Sequence, residues 1–161
     1  MSPEPRTADA HSGPTDRVAP FRFSSVSRVD IAETDLGAVV YYGRYVHHVD
    51  RAVLAYRRHV GVPGLGAPGH LFVVRRFALE YRAPARFDDE VEAFVRVARL
   101  GGPSHEYEIR LERIGEGPVH LADATLVVAG VGGYESARPS RMPEQMRAAI
   151  SAFEGLGEAG G

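Results

Sequence analysis

The chain changes its hydrophobic period once, and that change constrains its fold more than any other feature. Over residues 43–60, Tyr45, Val46, Val49, Val53, Tyr56 and Val60 recur at spacings of mostly three and four, the mark of a helix of about five turns that buries one face. "GVPGLGAPG" then stops the helix, because Pro cannot continue it and glycines favour a loop. From there the pattern alternates, in the runs "HLFVVRRFALEY", "EVEAFVRVARL", "SHEYEIRLERI" and "VHLADATLVVAGV". The second run sets Val91, Ala93, Val95 and Val97 on one face, and the third opposes Tyr107, Ile109 and Leu111 to Glu106, Glu108 and Arg110, as half-buried strands do. Sequential strands with short Gly-containing turns favour antiparallel hairpins. One long, largely apolar helix needs a face to cover, so the sheet curls around it. An earlier run, "FRFSSVSRVDI" over 21–31, supplies a fifth strand, and "PEQMRAAISAFE" predicts a short terminal helix that opens at a Pro suited to a first turn.

Composition narrows the partners. A chain of 161 residues is one domain's worth. We expect a disordered arm over 1–20, the folded domain over 21–135, and a short helix with a frayed tail over 136–161. A net charge of -2 without like-charge runs gives no pull toward nucleic acid. No apolar stretch approaches the roughly 18 residues that cross a bilayer, so no membrane partner is expected. The chain has no cysteine, which excludes a thiolate nucleophile and Cys-based metal sites and fits a reducing cytoplasm.

The segment "ETDLGAVVYYGRY" carries the chemistry. Asp35 stands in the loop that feeds the helix, whose first N–H groups have no partners within it. With the helix dipole these groups favour a negative oxygen. A carboxylate beside preorganised donors meets two needs of acyl transfer: activation of the attacking group and stabilisation of the oxyanion. Gly37 and Gly43 let the backbone approach a substrate closely. The plainer alternative makes Thr34 and Asp35 loop or cap residues.

"DLGAVVYYGRY" with its preceding "ET", "LEYRAPARFDDEVE" and the closing "MPEQMRAAI" resemble the hotdog-fold acyl-CoA thioesterases of the 4-hydroxybenzoyl-CoA thioesterase type, over roughly residues 21–150. The resemblance implies an α+β hotdog fold, an antiparallel five-stranded sheet wrapped around one long central helix. It makes Asp35 the catalytic carboxylate and gives Tyr42 a main-chain role in polarising the thioester oxygen. It also implies substrate contacts from Gly37, Tyr41, Gly43, Tyr45, Arg82 and Arg86, and neither cofactor nor metal. The expected substrate is an acyl-CoA or an acyl carrier protein thioester. The expected assembly is a homodimer or homotetramer with the site at the subunit interface.

The sequence departs from that pattern in three places. Tyr42 stands where some relatives have a His, Asp50 where many have a Glu, and His47 and His48 replace an aromatic pair. His48 is the candidate general acid or base, since an imidazole titrates near neutrality, and a His47–Asp50 pair is allowed by spacing. Arg75, Arg76, Arg82 and Arg86 form a cluster able to meet coenzyme A phosphates or an acidic carrier. Besides hydrolysis, "HHVD" keeps open the addition of an amine to an α,β-unsaturated acyl thioester. A non-catalytic acyl-binding protein is the third reading, and the intact Asp35 argues against it.

Overall fold

Alternation places the long strands within one residue at each end. A computed structural model describes residues 11–157. The four runs form β4 (His70–Tyr81), β5 (Glu90–Leu100), β6 (Ser104–Arg113) and β7 (Val119–Val131). The strand before the helix, β2 (Phe23–Arg28), is shorter than expected because Asp30 caps a 3-10 turn at Ile31–Glu33. The helix is also shorter: Tyr42–Arg44 winds as a 3-10 turn, and α1 (Tyr45–Val60) follows, ending at a left-handed Gly61. The terminal helix is α2 (Glu144–Glu154).

Among the described residues the sheet has seven strands and not five, in the order β1-β2-β5-β6-β7-β4-β3. The additions are the edge strands β1 (Ser12–Pro14) and β3 (Gly66–Ala67), too short to show a period. β1 belongs to the arm expected to be disordered. Its Ser12 lies opposite Ser25, and nearby Arg17 reaches Glu92 at 2.6 Å and Glu112 at 2.9 Å. Residues 1–10 and 158–161 lie outside the described residues. β5, β6 and β7 form the expected antiparallel meander, whereas β4 crosses to its far side and pairs with β7.

Two features of β4 shape the concave face. A bulge at Arg75 shifts the register with β7, so the inward row runs Phe72 and Val74, then Phe77, Leu79 and Tyr81. Their partners Val128 and Leu126 are buried, yet Val74 and Tyr81 remain 65% and 48% exposed. The cause is the seat of α1, which packs over β2 and β5 rather than over β4. The other edge of β4 meets β3 at His70 and Leu71, Phe72 N donates to Leu65 O at 3.1 Å, and among the described residues the edge is unpaired beyond Phe72.

Beneath α1, Tyr56 meets Phe23, Tyr107 and Phe153 edge-on at 5.7, 5.9 and 5.7 Å, geometry that aromatic rings favour. Its hydroxyl donates to Glu154 at 2.6 Å, and Val97 N donates to the same carboxylate at 2.9 Å, which fastens α2 to the core. Gly130 sits against the imidazole of His70 so closely that any Cβ there would enter the ring.

Candidate active site at the start of the helix

The loop before the helix is held by its own short-range hydrogen bonds. Asp30 and Glu33 form a capping box: the Asp30 carboxylate accepts from Ala32 N at 2.8 Å, and Glu33 Oε2 accepts from Asp30 N at 2.7 Å. Thr34 then bridges to Val40, and Asp35 N donates to Val39 O at 2.9 Å. The turn between them places Ala38 in the left-handed region at φ 60°. Asp35 Oδ1 accepts from Gly37 N at 2.7 Å, an Asx turn that leaves Oδ2 without a partner among the described residues. A Cβ at Gly37 would lie 3.1 Å from that same Oδ1. Gly37 therefore serves the carboxylate, instead of only clearing space for a substrate. Asp35 and its neighbour Leu36 are exposed.

The helix start is pinned from three directions. Val40 N donates to Ala85 O at 2.8 Å, Tyr41 N donates to Glu33 O at 2.9 Å, and Arg44 N donates to Tyr41 O at 2.8 Å. The Tyr42 and Gly43 amides thus precede the first bond of the turn, as the leading N–H groups of a helix do. Tyr81 donates its hydroxyl to Tyr42 O at 2.8 Å and packs edge-on to Tyr45 at 5.1 Å. Tyr45 is buried, and its hydroxyl accepts from Ala85 N at 3.0 Å. These residues, with Arg82 and Pro84, line an open hollow of about 250 Å³.

The predicted residues do not all converge. Tyr42, Tyr45 and Arg82 share the hollow, and Tyr41 is exposed with its ring 4.5 Å from that of Tyr42. The Tyr41 phenol is raised above its ordinary pKa, chiefly by its hydrogen bond to Tyr42. Arg82 is already engaged, with Nε 2.8 Å from Asp123 Oδ2 and Glu80 3.4 Å away. Arg86 bridges through its backbone to Val39 beside the Asp35 loop. Arg75 and Arg76 sit apart at the β4 bulge, where Arg76 pairs with Glu106 at 3.5 Å.

His48 faces away from the hollow. It is 2% exposed between α1 and β2, with Nδ1 2.6 Å from Ser27 Oγ and Nε2 3.1 Å from Glu33 Oε1. Burial pushes its pKa down, with the Glu33 carboxylate opposing that shift. His47 lies 4.0 Å from Glu33 Oε1. Asp50, whose carboxyl is raised from its ordinary pKa chiefly by partial desolvation, lines a separate cavity farther along α1. Among the described residues no three His, Asp or Glu side chains gather to hold a metal. Sequence reading missed the part Glu33 plays, although the Asp30-x-x-Glu33 spacing is a legible capping signature.

Known proteins agree with this architecture. The sequence profile of the thioesterase superfamily matches residues 37–120. The acyl-CoA thioesterase YbgC of Haemophilus influenzae is 32% identical over 131 residues, 80% of this chain and 93% of its own length. The acyl-CoA thioester hydrolase YbgC of Escherichia coli O157:H7 is 37% identical over 86 residues, which span 52% of this chain and 64% of that protein. Among solved structures, a hypothetical protein from Thermus thermophilus is 32% identical with a TM-score of 0.68, covering 80% of this chain and 98% of its own. A 4-hydroxybenzoyl-CoA thioesterase bound to 4-hydroxybenzoyl-CoA shares the fold at 15% identity, with a TM-score of 0.72 and coverage of 80% and 97%.

Proposed function

The chain belongs to the thioesterase superfamily as a thioester hydrolase, and from that premise we propose that it cleaves acyl-CoA with Asp35 as the carboxylate and the Tyr42 amide as the oxyanion donor. The observation that carries this reading is an exposed carboxylate, fixed by the Gly37 amide, on the loop that leads into a helix start whose Tyr42 and Gly43 amides precede the first turn's bond. Asp35, or a water that it deprotonates, adds to the thioester carbon and moves the carbonyl electron pair onto oxygen. The amides hold that charge. Collapse breaks the C–S bond. Where water attacked, the acid is released and the sulfur takes the proton that Asp35 had removed. Where Asp35 attacked, coenzyme A leaves as the thiolate and a water then hydrolyses the mixed anhydride, which releases the acid, restores the carboxylate and supplies the thiol's proton. Arg86, exposed and without an ion-pair partner among the described residues, is better suited to a coenzyme A phosphate than Arg82, which Asp123 neutralises. The same cation would serve a phosphopantetheine carrier.

His48 takes a positioning role in this reading: it supports Glu33, whose carbonyl receives the Tyr41 amide and so sets the helix start. Amine addition would draw on His48 or a carboxylate for proton transfer, and His48 is not among the residues that line the hollow. The test is mass spectrometry of products from saturated and α,β-unsaturated acyl-CoA thioesters, each with and without glycine. Free acid from the saturated members, unaffected by amine, is expected. An amine adduct confined to the unsaturated members would replace hydrolysis as the reaction.

The unpaired edge of β4 supports a homodimer in which two sheets join edge to edge, since long open edges are seldom left bare. The Asp35 loop of one chain would then complete a site against its partner. Light scattering after gel filtration should give at least twice the 17.5 kDa chain mass, and a monomer at micromolar concentration would contradict this assembly. Among the described residues no helix is long and apolar enough to cross a membrane, and a cytoplasmic location suits the proposed substrate.

A further inference from the structure

A buried cation lies at the far end of the groove between α1 and β4. Arg57 is 7% exposed. Its Nε donates to the Tyr107 hydroxyl at 3.0 Å and its Nη1 to Gly64 O at 2.6 Å. The guanidinium carbon lies 4.6 Å from the centre of the Phe72 ring and 5.4 Å from that of Tyr107. Among the described residues no carboxylate stands within ion-pair distance of it, and Nη2 makes no hydrogen bond. Burying a charge without a counter-charge is costly. A guanidinium has five N–H donors, so this one keeps some for another acceptor.

Arg57 also lines a cavity of about 170 Å³ whose other walls are mostly apolar, among them Leu54, Leu65, Phe72 and Val128, with Asp50 as the remaining ionisable residue. The cavity and the helix-start hollow lie along one side of the fold. Tyr45 and Tyr81 meet at the hollow, Leu54 and Val74 line the cavity, and Phe77 and Leu79 continue the inward row between them. The helical rise sets Arg57 roughly 22 Å along the axis from Tyr42. A long acyl chain attached at the hollow runs toward it.

We propose that this cavity receives the end of the acyl chain and that Arg57 selects chains ending in an oxygen acceptor, a hydroxyl or a carboxylate, over those ending in methyl. This rests on the acyl-thioesterase reading and adds a substrate class to it. The apolar walls hold the methylenes, and the guanidinium supplies a charge-assisted hydrogen bond that a methyl terminus cannot accept. Asp50 at the same cavity weighs against a second anion, so the hydroxyl and carboxylate arms separate a neutral acceptor from a charged one.

The experiment compares kcat/KM for saturated acyl-CoA thioesters with their ω-hydroxy and ω-carboxy counterparts over a series of matched lengths from medium to long, in wild type, Arg57→Met and Arg57→Lys. The wild type should favour at least one oxygenated class by roughly tenfold to a hundredfold at the length that reaches Arg57. Arg57→Met should bring that ratio close to unity, and Arg57→Lys should restore part of it. Equal rates for oxygenated and methyl-ended chains in the wild type overturn the inference, whether or not the variants fold. A preference that survives Arg57→Met overturns it as well. Hydrolysis without preference removes the inference alone, whereas no hydrolysis of any member removes the acyl-CoA reading with it.

Discussion

Asp35→Ala should lower kcat for acyl-CoA hydrolysis by about 10³-fold or more, the scale on which nucleophiles and general bases act. Stability should change little. The side chain is exposed and, among the described residues, accepts one hydrogen bond, from Gly37 N, so its loss costs about 1 kcal/mol. The turn keeps its backbone bonds from Asp35 N to Val39 O and from Ala38 N to Asp35 O. Asp35→Asn retains an oxygen for Gly37 N while removing the negative charge, so it isolates chemistry from loop geometry. Thermal melts beside single-turnover kinetics decide the matter: a well-folded Asp35→Ala protein with a rate within tenfold of wild type would mean that another group attacks the thioester.

Acid should destabilise the fold well above the carboxylate range. His48, His70 and His105 are each about 98% buried or more, and burial is the leading cause that holds each below the ordinary imidazole value of 6.5. His105 is pushed down to about 3, with the nearby Arg57 guanidinium and His70 adding to the effect of burial. In the unfolded chain each imidazole takes a proton near pH 6.5, whereas the native chain resists it. Between those values the unfolded state binds more protons, so stability rises with pH. The contribution is complete above pH 6.5 and is lost as the pH falls toward the folded pKa values. A group that stays unprotonated contributes about 1.4 kcal/mol per pH unit; His105, held at about 3, does so throughout this range, and His48 and His70 act in the same direction. Urea midpoints between pH 7.5 and 5 should therefore drop steeply, and a flat profile would mean that these imidazoles already accept protons in the native protein.

What could be read from the sequence depended on the range of the interaction. The long strands follow from side-chain alternation, which is local, and four of them were legible nearly to the residue. The pairing of β4 with β7 joins segments far apart in the chain, and no local pattern encodes it. β1 and β3 exist because a neighbour supplies hydrogen bonds to two or three residues, too few for periodicity. The Asp35 loop was visible through its composition, but the use of the Gly37 amide required the turn geometry. His48 lies on the same helical stripe as Tyr45, Ala52 and Tyr56, all buried. Its interior position was thus implicit in a pattern that polarity obscured. Arg57 was hidden for the same reason, because a charge at a core position reads as a solvated face until its partners are known.

The offset seat of α1 divides the concave surface between two tasks. Side chains of β2 and β5 under the helix are fixed by the requirement to fold. On β4, Val74 is left largely uncovered and is free of that requirement, whereas Phe77 and Leu79 stay half-buried against the core. Substitutions at Val74 can then reshape what the protein recognises with little penalty to its stability, so a lineage built on this framework can diverge in selectivity while its folding core stays unchanged.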